Sequence, residues 1–357
     1  MSEAGLIDVA GRVRSGEELD VAKVDTWLKQ QVPDLVGSPE ITQYSGGASN
    51  WTYRLKYPAR DFILRRPPAG TKAKSAHDMG REYRVQKALK PYFSAVPEMI
   101  GLCQDESVLG AEFYVMERLE GIIPRAKMHR GFGLTPAENR ELCRNVLDKL
   151  LELHKVDYQA AGLASLGKGA GYCKRQVEGW TDRYQKARTW NVPSFRYVCD
   201  WLREHTPNDV TTCVIHNDFR LDNVVLDPNQ RTRIIGVLDW EMATLGDPLM
   251  DLGGSLAYWV QANDDPLFKM VGRQPSHLPG MFTRREVVDY YLSRSGLTPR
   301  NWTFYEVFGL FRLAVIAQQI YYRYHHKQTS NPTFKNYWLM ISYFDLRCRY
   351  LILRSKL

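Results

Sequence analysis

The chain has 357 residues, with 48 Lys and Arg against 40 Asp and Glu for a net charge of +8; 44% of its residues are hydrophobic and 25% charged. That length supplies material for about two domains of roughly 100–200 residues, and the proportions exclude disordered and collagen-like chains. Arg312 interrupts the most apolar stretch, residues 307–317, so nothing reaches the roughly 18 uncharged apolar residues of a spanning helix.

The basic residues form no run of the kind that marks nucleic-acid binding, because Asp and Glu are interleaved among them. Neither a nucleic-acid nor a membrane partner is expected, and the surplus charge suits a cleft for a phosphorylated ligand. Six cysteines without C-x-x-C spacing read as reduced thiols. The first residues carry neither a signal h-region nor an acid-poor transit pattern, so the cytoplasm is the expected location.

In chain order, Leu19, Val24, Trp27, Leu28 and Val32 recur near helical spacing and predict a leading helix over 19–32. Residues 41–64 read as a strand, a Ser-Gly-Gly-Ala-Ser-Asn turn, a strand (WTYRLKY) and the start of another (FILRR). Met79, Tyr83, Gln86 and Leu89 share one face of a helix over 75–90, and strand patterning resumes over 96–119. After Gly121 the character changes. Thr135, Pro136 and Glu138 make a capping box with Pro at the first helical position, and Leu142, Val146, Leu150 and Leu153 continue that helix. Residues 162–171 read as a loop, a helix follows through Gln176, Trp180 and Tyr184, and two short strands fall around 212–239. Residues 303–326 and 333–354 read as helices. The expected fold is α+β, with a small β-rich lobe over 1–120 and a larger helical lobe over 121–357.

The chemistry concentrates in 214–226, where an apolar strand end leads through His216, Asn217, Asp218, Phe219, Arg220, Leu221, Asp222 and Asn223 into another apolar strand. Farther on, Asp239 ends a second buried strand. Phosphoryl transfer needs an Asp to orient the acceptor hydroxyl and an Asn plus another Asp to hold Mg²⁺ on the nucleotide phosphates. Asp218, Asn223 and Asp239 supply that set.

HNDFRLDN followed by VLDWE and GDPLMDLG resembles the aminoglycoside phosphotransferase and choline kinase relatives of the protein-kinase fold. More closely, it is similar to the branch whose members occur alone in bacteria or fused to acyl-CoA dehydrogenases in animals. The resemblance covers roughly residues 35–330 and implies a two-lobed kinase-like fold and a small-molecule kinase using ATP, with GTP left open, and Mg²⁺. It implies Asp218 as base, Asn223 and Asp239 on the metal, and His216 as a brace for the loop, with Asp251 capping it. Arg220 suits charge developing on the transferred phosphoryl group.

Upstream, Gly46, Gly47 and Ser49 lie in a turn where glycines let backbone approach phosphate oxygens, although a Gly-Gly hairpin is often only a turn. Period-two alternation puts Ile63 and Arg65 on one face, with Arg65 where kinases carry Lys and Glu82 as its natural partner; the alternative is a solvated Arg65-Arg66 edge. Met116, Glu117 and Leu119 occupy the place of an inter-lobe hinge whose backbone would bind adenine, or simply an apolar strand end. The G-x-x-x-x-G-K match at 162–168 is rejected as a P-loop, because Gly169 replaces the Mg²⁺-binding Ser/Thr and no strand precedes it. Lys174, Arg175, Trp180, Arg183 and Tyr184 are candidates for a substrate wall.

The acceptor is expected to be a small-molecule hydroxyl. The fused relatives, together with Arg66, Lys72, Lys74, Lys174 and Arg175, point to an anionic one such as a hydroxyacyl-CoA. Alternatives are an aminoglycoside or other amino-alcohol or sugar kinase, of which the antibiotic reading would need an acidic pocket and is disfavoured by the basic balance, and a nucleotide-binding pseudoenzyme. Protein-kinase activity is disfavoured because Trp240-Glu241 lacks the DFG glycine and no A-P-E follows.

Overall fold

A computed structural model of the chain describes residues 8–44, 50–68, 78–125 and 133–355. Asp20 accepts a hydrogen bond from the Lys23 N–H and so starts α1 (Val21–Gln31), which buries Val24 and Leu28. There follow β1 (Glu40–Gln43), β2 (Trp51–Lys56), β3 (Asp61–Arg66), α2 (Met79–Leu89), β4 (Met99–Cys103), α3 (Glu106–Leu109) and β5 (Phe113–Glu117). The five strands form one antiparallel sheet in the order β1-β2-β3-β5-β4. The strand patterning over 96–119 is therefore two strands parted by the short α3, which Asp105 caps and Gly110 ends at φ 74°.

The alternation of β3 sets what the sheet faces. Phe62 and Leu64 pack with Val24, Leu28, Tyr53 and Phe113 on the α1 side, whereas Ile63 packs with Met79, Tyr83, Tyr114 and Met116 on the α2 side. Arg65 shares the Ile63 face and so looks toward α2.

The helical lobe begins with α4 (Pro136–His154), whose Thr135–Glu138 capping box is formed as expected. α5 (Tyr172–Ala187) and α6 (Arg196–Glu204) follow, then β6 (Cys213–Ile215), β7 (Val224–Leu226), β8 (Ile234–Val237) and β9 (Thr244–Gly246). These strands make two small antiparallel ladders, β6 with β9 and β7 with β8. α7 (Pro248–Leu256), α8 (Pro266–Met270), α9 (Arg284–Ser295), α10 (Trp302–His325) and α11 (Tyr337–Arg354) complete it. No helix among the described residues is long and apolar enough to cross a membrane.

The lobes meet where Ile122 exchanges backbone hydrogen bonds with Leu226 at 2.8 and 2.9 Å. Leu89 and Phe93, at and beyond the end of α2, are buried in the core of the helical lobe, so that helix belongs to both.

Helices α7 and α10 cross at small residues. A Cβ at Gly253 would lie 2.6 Å from the Tyr305 carbonyl oxygen, and one at Gly309 would collide with the Gly253 carbonyl. Because backbone cannot move aside as a side chain can, Gly253→Ala is expected to force the helices apart. The cost is about 1–3 kcal/mol, in the usual range for overpacking, read as a lower urea midpoint. An unchanged midpoint would show that the crossing tolerates separation.

Candidate active site

The loop from β6 to β7 is built around the buried carboxylate of Asp251 on α7. It accepts from the His216 N–H at 2.8 Å, the Asn217 N–H at 2.8 Å and His154 Nε2–H at 3.1 Å. The Tyr291 hydroxyl in turn donates to His154 Nδ1 at 2.6 Å. Burial pushes the Asp251 carboxyl up, but the hydrogen bonds from His154 and from the loop N–H groups outweigh it and hold the group below the usual range.

His216 accepts from the Asp218 N–H on Nδ1 at 3.3 Å and donates from Nε2 to the Leu238 carbonyl at 3.0 Å. That pattern fits the neutral Nε2–H tautomer, and burial pushes the imidazole pKa down in agreement. His216 thus ties the loop to the strand end preceding Asp239. Asn217 takes the left-handed conformation at φ 65°, which Asn tolerates better than most residues. It is held by the Tyr172 hydroxyl donating to Oδ1 at 3.0 Å, by its own Nδ2 on the Met242 carbonyl at 3.0 Å, and by Arg312 Nη2 on its carbonyl at 2.7 Å.

Asp218 follows from that clamp. Arg220 grips it from two sides, Nε 3.0 Å from Oδ1 and Nη2 3.1 Å from Oδ2. Asn223 Nδ2 donates to the Asp218 carbonyl at 2.8 Å and to Oδ2 at 3.0 Å. With its nitrogen spent there, Asn223 presents Oδ1, which accepts no hydrogen bond among the described residues.

Asp239 is also left-handed, at φ 66° and ψ 63°. Arg65 Nη2 reaches its Oδ1 at 3.3 Å while Nη1 donates to Glu82 Oε1 at 2.8 Å, so one guanidinium bridges both lobes. Burial raises the Glu82 carboxyl, and the Arg65 charge opposes that rise. Arg81 adds donations to the Glu241 carbonyl at 3.0 Å and to the Ala243 carbonyl.

An inter-lobe cleft of about 200 Å³ is lined by Arg65, Met116, Glu117, Leu119, Asn223 and Asp239, among others. Glu82 stands behind Arg65, and Asp218 and Arg220 lie beyond Asn223. Gly46, Gly47, Ser49, Lys72 and Lys74 fall outside the described residues. Along the hinge, the Glu117 N–H donates to the Glu98 carbonyl at 2.8 Å and the Arg118 N–H to the Asp61 carbonyl at 3.1 Å. The Leu119 N–H has no partner among the described residues and remains a donor for a ligand. Asn223 Oδ1 and the Asp239 carboxylate are hard oxygen donors of the kind Mg²⁺ takes.

Other expected contributors are committed elsewhere. Arg66 lies on the opposite face of β3, over the Trp51 ring at 5.5 Å. Arg175 Nη2 holds the Gly169 carbonyl at 2.6 Å, and buried Tyr184 donates to the Pro193 carbonyl at 2.6 Å, so both shape the fold rather than a substrate wall. Cys173, Asp209 and Asp247 cluster at metal-like distances, yet their carboxylates already accept N–H groups from 171–173, 210 and the start of α7. Tyr172, His154, Tyr291 and Arg312 had no signal in any short motif, because each meets the loop from a distant helix.

Asp251→Asn is expected to cost about 3 kcal/mol or more, since an amide puts a donor against donors in a buried network. The depressed carboxyl contributes stability above the ordinary carboxylate pKa of about 3.9, and loses it as pH falls through the folded value. Urea midpoints should therefore fall on acidification more steeply in wild type than in the variant. Equal stability and equal pH slopes would remove Asp251 from its organising role.

Comparison with known proteins agrees with this architecture. Residues 40–287 match the phosphotransferase enzyme family. Rat acyl-CoA dehydrogenase family member 11 is 35% identical over 318 residues, covering 86% of this chain and 40% of that protein. Mouse acyl-CoA dehydrogenase family member 10 is 37% identical over 305 residues, covering 83% of this chain and 28% of that protein. This chain thus spans well under half the length of either relative. A solved structure from Ralstonia eutropha, provisionally described as an aminoglycoside phosphotransferase, superposes with a TM-score of 0.78 at 30% identity, covering 93% of this chain and 99% of that one. The GDP complex of an aminoglycoside 2'-phosphotransferase-IIIa mutant shares the fold at a TM-score of 0.60 and 14% identity, covering 93% and 99%. The chain belongs to the phosphotransferase enzyme family, with the kinase-like aminoglycoside phosphotransferase fold.

Proposed function

We propose that this phosphotransferase moves the γ-phosphoryl group of ATP to a hydroxyl of a small molecule, with hydroxyacyl-CoA as the leading acceptor class. The observation that carries the reading is the division of labour at Asn223. Its nitrogen orients Asp218 at 3.0 Å, and its free oxygen shares the cleft with Asp239. The names of the relatives, acyl-CoA dehydrogenase family members 10 and 11, support the acyl-CoA assignment. A GDP-bound neighbour of the same fold keeps GTP as a second donor.

In this reading the adenine lies along the hinge, with the Leu119 N–H as a donor. Arg65 grips the α- and β-phosphates as a planar fork, and Glu82 holds it there. Asn223 Oδ1 and Asp239 would hold Mg²⁺, which would supply positive charge against the nucleotide phosphates. Asp218 accepts the acceptor's hydroxyl proton as the oxygen–phosphorus bond forms. The bond between the γ-phosphorus and the bridging oxygen breaks, and ADP leaves. Arg220, already on Asp218, faces the negative charge spread over the transferred group.

Asp218→Asn is expected to lower turnover by roughly 10²–10⁴ while nucleotide affinity stays within a few fold, because the base acts on the acceptor. Near-normal turnover in that variant would sink the assignment. Asp239→Ala should instead weaken Mg-nucleotide binding itself, with Asn223→Ala doing so more mildly. Unchanged calorimetric affinity in the Asp239 variant would move the metal site elsewhere. ADP release across hydroxyacyl-CoAs, sugars, amino alcohols and aminoglycosides identifies the acceptor.

A further inference from the structure

Outside the nucleotide cleft, a second set of charges converges beside Asp218. Arg312 on α10 is only 8% exposed, and its guanidinium lies over the Trp180 ring at 5.4 Å. Nη2 donates to the Asn217 carbonyl at 2.7 Å, and Nη1 lies against Gly254, where a Cβ would come within 2.9 Å of it. Among the described residues, no carboxylate stands within the 4.0 Å ion-pair distance of this cation, and Nε and Nη1 make no hydrogen bond. Burying a cation without an anion is costly unless something completes it.

Tyr258, just past α7, marks where that charge meets others. Arg220 stacks on its ring at 4.5 Å. Its carbonyl accepts from Gln274 Nε2 at 3.2 Å, and Gln274 Oε1 accepts from the Leu221 N–H at 2.7 Å. That link fixes the segment bearing Arg273, which is exposed and makes no ion pair among the described residues, against the catalytic loop. Burial and the Asp218 charge push the Tyr258 hydroxyl up, while Arg220, Arg312 and Arg273 pull it down, so four charges act on one phenol. That hydroxyl makes no hydrogen bond among the described residues.

We propose that Arg312, Arg273 and Tyr258 form a receiving site for an anionic oxygen group, a carboxylate or a phosphate, on the phosphoryl acceptor. The inference rests on the phosphotransferase reading and narrows its substrate class. Arg220, which faces Asp218 at 3.0 Å and Asp222 at 3.5 Å, offsets part of the repulsion that Asp218 would exert on such a group. A polycationic acceptor, by contrast, meets two guanidiniums that make no ion pair among the described residues.

The test compares three forms of one hydroxylated acyl chain as acceptors with Mg-ATP: the free hydroxy acid, its CoA thioester and its primary amide. Each is assayed with wild type, Arg312→Gln, Arg312→Lys and Arg273→Gln. A charge-assisted contact supports a preference of about tenfold or more in kcat/KM for an anionic form over the amide. That preference should shrink, through KM, in both Gln variants and recover in part in Arg312→Lys. Preference for the free acid identifies a carboxylate as the bound group, and preference for the thioester identifies the CoA phosphates. Arg273→Gln changes an exposed side chain, so it reports even where Arg312→Gln fails to fold. Equal turnover of amide and anions, or a preference unchanged in Arg273→Gln and in any folded Arg312→Gln, overturns the site. Calorimetry of the hydroxy acid and the thioester, with AMP-PNP present, separates this inference from the one beneath it. Anion affinity lost in the Gln variants without any phosphorylation keeps the site and removes the kinase reading. Phosphorylation of a neutral alcohol with no anion preference does the reverse.

Discussion

The Asp251 carboxylate is the point on which the loop bearing Asp218 depends. Asp251, the consecutive His216 and Asn217, and His154 come from three separate stretches of the chain, and three donors meet on that one carboxylate. A buried carboxylate is costly to leave unpaired, so the fold that buries it also fixes its donors. Fixing His216 and Asn217 at their backbone leaves Asp218 little freedom. The left-handed Asn217 then turns the chain so that Asp218, Arg220 and Asn223 close on one another.

A second constraint joins this loop to the sheet. Arg65 spans Glu82 and Asp239 with one guanidinium, and a planar fork suits two carboxylates at once. The two lobes are therefore joined by this charge bridge and by the backbone pairing of Ile122 with Leu226. In the proposed reading, a ligand phosphate beside Arg65 would compete with Asp239 for the guanidinium, and a cation held by Asp239 would offset that competition. Nucleotide and metal would then be coupled through Arg65.

Much of this was legible because it is local. Five positions separate Asp218 from Asn223, period-two alternation put Arg65 on the Glu82 face, and the Thr135–Glu138 box capped α4. The same alternation carries Arg66 to the opposite face, where it stacks on Trp51, so its place among phosphate-binding cations was already excluded by the rule that placed Arg65. What escaped the sequence was contact between distant positions. His154 meets Asp251 across 97 positions and Arg312 meets Asn217 across 95, and no spacing rule connects such pairs. In the sequence Arg312 served only as a break in an apolar run. In the fold, the apolar run is what buries it beside the catalytic loop.

The account comes down to direct transfer of a phosphoryl group onto a hydroxyl, and the most direct measurement follows that group. The protein is incubated with Mg²⁺ and ATP carrying ¹⁸O in the non-bridging γ-oxygens, together with a hydroxylated acyl compound, and the products are weighed by mass spectrometry. The account predicts a phosphate monoester of the acceptor that retains all the labelled oxygens, with ADP formed in equal amount. Recovery of the label only in unreacted ATP or in inorganic phosphate, with the acceptor unchanged across the hydroxyl compounds tried, would contradict it.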